Sequence, residues 1–328
     1  MPLVSIIIPV FNVRPFLCQC LDSVQNQDFK EWECLLIDDG ANDGSSEICD
    51  KYGANDARFR IFHRTNAGVS ATRNFGIDHS KGAFLCFIDA DDWVDINYLS
   101  VHLLHANSSD LTLSGQIREF HDGHKTLLTP DSTELFTVST ESINAILSLE
   151  SKLLLFAPHE KLYRADIIKK HHLRFQEGCS YGEDLLFNYQ YLKHVEIIST
   201  IASAMYHYRI HSNSLSMAFR TDQFDEDYAQ WLVLKDFHMS SNLWNSEVEA
   251  YLAKRLWGIV YDGLFLYPRL EDKKGYLSHI LSIPEIDLIK KRDDVYSCSQ
   301  WIKNAITHRR TAVFYLFFKM SGIGKYLR

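Results

Sequence analysis

The first hundred residues switch repeatedly between two hydrophobic periods. Val4-Ser5-Ile6-Ile7-Ile8-Pro9-Val10 is a nearly unbroken β-branched run without polar alternation, which predicts a strand covered on both faces, as in a parallel sheet. Leu17, Cys20, Leu21 and Val24 then recur at i, i+3, i+4 and i+7, one face of a helix, with Pro15 where a first-turn proline is tolerated. Cys34 to Ile37 predicts a second strand, and Ser45 is placed to cap a helix that turns Ile48 inward. Phe59 to Phe62 predicts a third strand. A helix capped by Ser70 runs to His79, and Ala83 to Ile88 completes a fourth strand. Repeats of this length imply right-handed βαβ units.

Regularity falls off beyond residue 100. Asp110 to Ser114 predicts a strand, His121 to His124 a hairpin turn, and Ile143, Ile146 and Leu147 a helix. A further helix opens at Gly182-Glu183-Asp184 and carries Leu185, Leu186, Tyr189 and Leu192. Val195 to Ser199 and Ala204 to Tyr208 predict two more strands. From Asp225 only helical spacing appears, as in Trp231, Leu234, Lys235 and His238. The composition changes near residues 215 to 225. Three segments are expected: residues 1–100 and 101–220 as two halves of one α/β domain, and 221–328 as a helical carboxy-terminal region.

The chain has 328 residues, 46% hydrophobic and 23% charged, an ordinary globular composition with ample core-forming material. A formal net charge of −8 argues against a nucleic-acid binder, which presents a basic face. Seven cysteines without a CxxC pair read as small buried hydrophobes in a reducing compartment. No stretch approaches the roughly 20 apolar residues that span a bilayer. A cytoplasmic protein is expected. The last twenty residues hold five Lys or Arg, no carboxylate and a dense aromatic run, Phe314 to Phe318. Such a tail suits peripheral contact with the inner face of the plasma membrane through residues 309–328, or packing of its aromatics against protein.

Polar clusters follow the predicted strands: Asn12 after the first, Asp38-Asp39-Gly40 after the second, Asp89-Ala90-Asp91-Asp92 after the fourth. Ligands of open α/β sheets bind outside these carboxyl ends. Three carboxylates in one turn repel unless a cation neutralises them, and such hard oxygens suit Mg²⁺ or Mn²⁺ shared with phosphate. The competing reading is a solvated, helix-capping turn. Asp39 is placed to accept from a nucleobase or ribose, or to form an Asx turn. Asn66-Ala67-Gly68 leads into a helix amino terminus followed by Arg73, a setting for phosphate or for a salt bridge to the acidic cluster.

Together these segments resemble glycosyltransferase family 2. The matching stretches are Val4 to Asn12, Leu36 to Ser45, Asn66 to Asn74 and Phe87 to Asp92, with weaker likeness at Lys161-Leu162-Tyr163, Gly182-Glu183-Asp184 and His207-Tyr208-Arg209. The resemblance implies the inverting, GT-A (Rossmann-like) fold, a mainly parallel sheet flanked by helices, here with a carboxy-terminal helical extension. It implies that Pro9 and Phe11 line the base and ribose pocket, that Asp39 reads uracil, and that Asn66 and Arg73 serve the nucleotide or its diphosphate. It further implies that Asp89 meets ribose or sugar, that Asp91 holds the metal, and that Asp184 is the general base. Ala41-Asn42 departs from the Ser-Thr the family often has after DDG.

Further candidates are Asp92 in the acidic turn, Glu183 beside the base, and Lys161 as a phosphate or acceptor contact or a solvated lysine beside Glu160. His207, Arg209 and His211 are candidates for a third metal ligand or phosphate contact, or a surface strand edge. The expected partners are a UDP-sugar donor and a glycan or lipid-linked glycan acceptor in surface or capsular polysaccharide synthesis, with no nucleic acid. A sugar nucleotidyltransferase is the alternative enzyme, but Phe11-Asn12-Val13-Arg14-Pro15 stands where a glycine- and lysine-rich phosphate loop belongs. A catalytically silent nucleotide-sugar-binding protein is the alternative outside enzymes, and the intact Asp91 and Asp184 speak against it.

Overall fold

The computed structural model describes residues 2–179, 182–210, 222–266 and 272–290, with isolated positions 304, 308 and 312. It divides into two compact units, residues 1–215 and 216–328.

The first unit is built on four parallel strands, β1 (Val4–Val10), β2 (Trp32–Asp38), β3 (Phe59–His63) and β4 (Phe84–Phe87), in the order β3-β2-β1-β4. Ile6, Ile7, Ile8 and Val10 are fully buried, as a strand covered on both faces requires. Each such side chain contributes roughly 1.5–3 kcal/mol on leaving water. Helices α1 (Arg14–Gln25), α2 (Ser45–Asn55) and α3 (Val69–His79) make the crossovers. The buried face of α1 is Leu17, Cys20, Leu21 and Val24, with Pro15 in its first turn, as the spacing predicts.

The caps differ from expectation. Gly44 and Gly68, at φ 96° and 88°, occupy the positions that open α2 and α3. Positive φ suits glycine and strains other residues. Ser45 lies inside α2, where its amide and hydroxyl both donate to Asp43 Oδ1 at 3.0 and 2.6 Å. Ser70 lies inside α3 and is buried.

Beyond β4 the sheet becomes mixed. Strand β9 (Lys161–Arg164) runs antiparallel to β4 and to β6 (Leu111–Phe120), and β6 runs parallel to β10 (Ile197–Ile210). Strand β10 replaces the two strands expected at 195–199 and 204–208. It is one strand of 14 residues whose register against β6 shifts between Thr200 and Tyr206. Short strands β5 (Trp93–Val94), β7 (Lys125–Leu128) and β8 (Glu134–Thr137) pair antiparallel at its margins. Helices α4 (Tyr98–Ala106), α5 (Ile143–Ser151), α6 (Ala165–Lys170) and α7 (Glu183–Leu192) complete the unit.

One polar residue inside β1 has a structural task. The Ser5 hydroxyl donates to Glu33 Oε1 at 2.6 Å and accepts the Gly82 amide at 2.8 Å, while Arg60 pairs with Glu33 Oε2 at 2.6 Å. A Cβ on Gly82 would stand 2.6 Å from the Ser5 amide nitrogen and 2.8 Å from the Val4 carbonyl carbon. Both are backbone and cannot swing aside. Gly82→Ala should therefore lower unfolding stability by about 1–3 kcal/mol. An unchanged urea midpoint would disprove this.

The second unit is helical where described: α8 (Gln223–Ser240), α9 (Ser246–Leu266), α10 (Lys273–Ser282) and α11 (Ile286–Lys290). Trp231, Leu234, Leu252, Leu256, Val260 and Ile280 form its interior, and the Trp231 indole donates to the Leu252 carbonyl at 2.8 Å. No helix among the described residues is long and apolar enough to cross a membrane. The aromatic and basic tail, 309–328, lies outside the described residues apart from position 312.

Candidate active site

The carboxyl ends of β1, β2 and β4 gather the loops singled out by sequence. Asn12 follows β1 in a left-handed conformation (φ 49°) that Asn tolerates, and its side-chain carbonyl accepts the Asn42 amide at 2.9 Å. Asp38, at the end of β2, accepts the Ala41 amide at 2.9 Å, the Ser46 hydroxyl at 2.6 Å and His63 Nδ1 at 2.7 Å. Burial acts to raise its pKa, but these hydrogen bonds outweigh burial and leave it lowered.

Asp39 is buried and reaches the next loop. Its carboxylate accepts the Ala67 amide at 3.0 Å and the Gly68 amide at 2.9 Å. A carboxylate has about four acceptor sites, so further sites remain for a ligand donor. Pro9 is half-buried at the end of β1. Phe11 is 50% exposed beyond it, and Asn66 is exposed in the facing loop. An apolar ring, an exposed loop and a buried carboxylate thus border the same sheet edge.

Arg73 projects from α3 and is 3% exposed. One terminal nitrogen donates to Asp184 Oδ1 at 2.6 Å and the other to Asp89 Oδ1 at 2.9 Å; Glu183 Oε1 stands 3.7 Å away. Its guanidinium lies 5.1 Å from the Phe175 ring centroid. The salt-bridge alternative for Arg73 is therefore realised, joining positions 111 residues apart. Burial acts against its charge, but Asp184 and Asp89 reverse that and raise its pKa.

The two carboxylates respond differently. For Asp89, burial is overcome by Arg73 and the pKa falls. For Asp184, burial dominates over the attraction of Arg73, neighbouring Glu183 and Asp89 add repulsion, and the carboxyl is pushed up to about 7. Gly182, at φ 89°, opens α7 and lets the chain turn into the helix that carries Glu183 and Asp184.

Asp92 is 1% exposed and bound from β10: the Tyr206 hydroxyl donates to Oδ2 at 2.7 Å and the Arg209 amide to Oδ1 at 2.7 Å. Burial, then Asp91 and Asp89, raise its pKa well above the ordinary range. The Arg209 side chain donates to the Asp91 carbonyl at 2.8 Å and to Gln19 at 2.7 Å, with its guanidinium between the Phe16 and Trp93 rings.

His207 has Nδ1 on Glu119 at 2.8 Å and Nε2 on Asp95 at 3.1 Å and stacks on Trp93, so in this structure its ring joins β6, β10 and the segment after β5. Lys161 is no solvated lysine. It is 1% exposed and donates to the Ala157 carbonyl at 2.7 Å and Glu160 Oε1 at 2.8 Å. His211 lies outside the described residues.

Sequence reasoning passed over Tyr206 and His159. Tyr206 is fully buried and His159 stacks on it at 4.5 Å while bonding Glu160. The available signal was that a tyrosine in a buried strand needs a partner for its hydroxyl.

Among the described residues, no group of three or more His, Cys, Asp or Glu converges as a metal cage. Asp89 is occupied by Arg73, and Asp92 by Tyr206 and Arg209. The acidic turn therefore offers few protein oxygens, which fits a Mg²⁺-like ion completed by phosphate and water.

The chain is similar to known proteins in sequence and in fold. The family model described as "Glycosyl transferase family 2" matches residues 5–171. A Bacillus subtilis protein described as "Putative glycosyltransferase EpsH" is 30% identical over 74% of this chain and 70% of its own length. A poly(ribitol-phosphate) beta-glucosyltransferase of Bacillus spizizenii is 27% identical over 63% of this chain and 32% of its own. Among solved structures, residues 1–349 of S. aureus TarS in complex with UDP-GlcNAc superpose with a TM-score of 0.69 at 20% identity, covering 97% of this chain and 92% of that one, a likeness of fold. The parallel block β3-β2-β1-β4, continued by mixed pairings and flanked by helices, with carboxy-terminal helices present, resembles the GT-A arrangement of the TarS structures. The chain belongs to glycosyl transferase family 2 and is a glycosyltransferase.

Proposed function

We propose that this enzyme transfers a sugar with inversion from a UDP-linked donor to a hydroxyl of a glycan or lipid-linked glycan, in surface polysaccharide synthesis, with Mn²⁺ or Mg²⁺ bridging the diphosphate. The observation that carries this is the Arg73 bridge, 2.9 Å to Asp89 and 2.6 Å to Asp184, which draws a donor-side carboxylate and a base candidate into one site. In this reading residues 1–100 form the nucleotide-sugar half, 101–220 the acceptor half and 221–328 the helical extension. The polysaccharide context is supported by the poly(ribitol-phosphate) beta-glucosyltransferase among the relatives.

Inversion is one in-line displacement at the anomeric carbon. Asp184, with its carboxyl near 7, takes the proton of the attacking hydroxyl. Phe11 and Pro9 pack on the base, Asp39 accepts the uracil N3–H, Asn66 borders the nucleotide, and Asp89 orients ribose or sugar. Asp91 would hold the cation, which when bound supplies Lewis-acid stabilisation of the departing diphosphate. Asp92 and Arg209 keep the turn in place, and Glu183 adds negative charge beside the base.

The test is metal-dependent UDP release from a panel of UDP-sugars, with calorimetry of UDP and GDP binding. UDP should bind more tightly than GDP, and Mn²⁺ should strengthen UDP binding. In Asp91→Asn that strengthening should vanish while the circular dichroism spectrum is kept. Unchanged UDP affinity of Asp91→Asn in Mn²⁺ would remove Asp91 as the ligand, and preference for GDP would remove the uridine assignment.

A further inference from the structure

Arg73 and the Cys20 thiol hold Asp89 from α3 and α1, at 2.9 and 3.6 Å, and β10 fastens both ends of the acidic turn. From β10, the Tyr206 hydroxyl accepts the Asp89 amide at 3.2 Å and donates to Asp92 Oδ2 at 2.7 Å, spanning both ends of the turn. Three residues on, the Arg209 amide donates to Asp92 Oδ1 and its side chain to the Asp91 carbonyl, at 2.7 and 2.8 Å. The turn closes on itself through the Asp92 amide and the Asp89 carbonyl at 3.0 Å. Behind Tyr206, the His159 ring stacks at 4.5 Å with 13° between planes and so restrains rotation of the phenol. Tyr206 is fully buried, so a hydroxyl removed there is not replaced by bulk water.

We infer that Tyr206 is a positioning residue: its hydroxyl clamps Asp89 to Asp92 so that the intervening Asp91 meets a donor-bound divalent cation at a fixed place, and Arg209 completes the clamp at the Asp91 carbonyl. This rests on the metal-dependent reading of the site given above. Neither side chain contacts the cation or donor in this assignment. Their effect is the entropy that the turn does not lose when the cation binds, because the turn is already ordered. The sequence places both in Tyr206-His207-Tyr208-Arg209, a segment whose ionisable residues suggest ligation; its function is support.

The test uses the full chain, UDP and Mn²⁺. Calorimetry is run on wild type, Tyr206→Phe and Arg209→Gln, each with and without Mn²⁺, together with thermal unfolding. Tyr206→Phe keeps the ring and its stack and removes two hydrogen bonds. The Mn²⁺-dependent gain in UDP affinity should fall about tenfold, the cost of ordering on binding a turn that is no longer held in place beforehand, while UDP affinity without metal stays at the wild-type value. Arg209→Gln, at a partly exposed site where folding is less at risk, should repeat this pattern; weakened UDP binding without metal would make Arg209 a phosphate contact and break the clamp assignment. A Tyr206→Phe protein with the full Mn²⁺ gain would overturn the inference, as would equal weakening with and without metal, which marks general loosening. Absence of any Mn²⁺ gain in wild type would instead overturn the metal-dependent reading itself.

Discussion

Asp184→Asn should slow sugar transfer by about 10²–10⁴-fold, the usual contribution of a general base, while UDP binding is retained. The amide keeps a carbonyl for Arg73 to donate to and cannot accept a proton from the acceptor. Wild-type turnover should also rise with pH through about 7, because burial raises the Asp184 carboxyl to that value and only its ionised form is a base. The variant should lose this ascending limb. Initial rates at saturating donor and acceptor between pH 5 and 9 measure both effects. An Asp184→Asn enzyme with most of its turnover, or an unaltered limb, would place the base elsewhere.

Arg73→Met should have the largest effect on stability. Removing the guanidinium leaves Asp89, Asp184 and Glu183 gathered without their cation, and breaking a buried pair from one side costs about 3–5 kcal/mol. Because Asp89 and Asp184 keep 28% and 31% side-chain exposure, the lower end, about 3 kcal/mol, is expected. The sign of its pH dependence follows from linkage. Without Arg73, burial leaves the folded Asp89 and Asp184 carboxyls titrating above their unfolded values, so the deficit is present at neutral pH and shrinks as they protonate on acidification. Urea unfolding at pH 7 and pH 5 tests this, and a deficit that grows on acidification would contradict it.

The amino-terminal half of the fold was legible because its signals are local. The run at Ile6-Ile7-Ile8 and the spacing of Leu17, Cys20, Leu21 and Val24 each declare one element within a few residues. Strands β5, β7, β8 and β9 have two to four residues and owe their existence to pairing partners distant in sequence, so no pattern of their own marks them. The exposed Ala202-Ser203 stretch made one strand look like two, because the register shift there breaks the alternation without ending the pairing. The site divides the same way. The residue types at Asp39, Asp89 and Asp91 drew attention through their chemistry and placement, and Asp184 through the family resemblance. The Arg73 bridge and the Tyr206 clamp connect segments about 100 residues apart, and that proximity is a product of folding.

The Asp39 carboxylate, which fastens the Ala67 and Gly68 amides at 3.0 and 2.9 Å, bears on how this enzyme can diversify. If the same carboxylate reads uracil, one side chain serves both the architecture of the pocket and its selectivity. A change at position 39 then alters loop shape and base preference together, so an altered base preference obtained there comes with a misshapen loop. On that reading the base-binding part of the site is its conservative part, because no change at position 39 alters base preference alone.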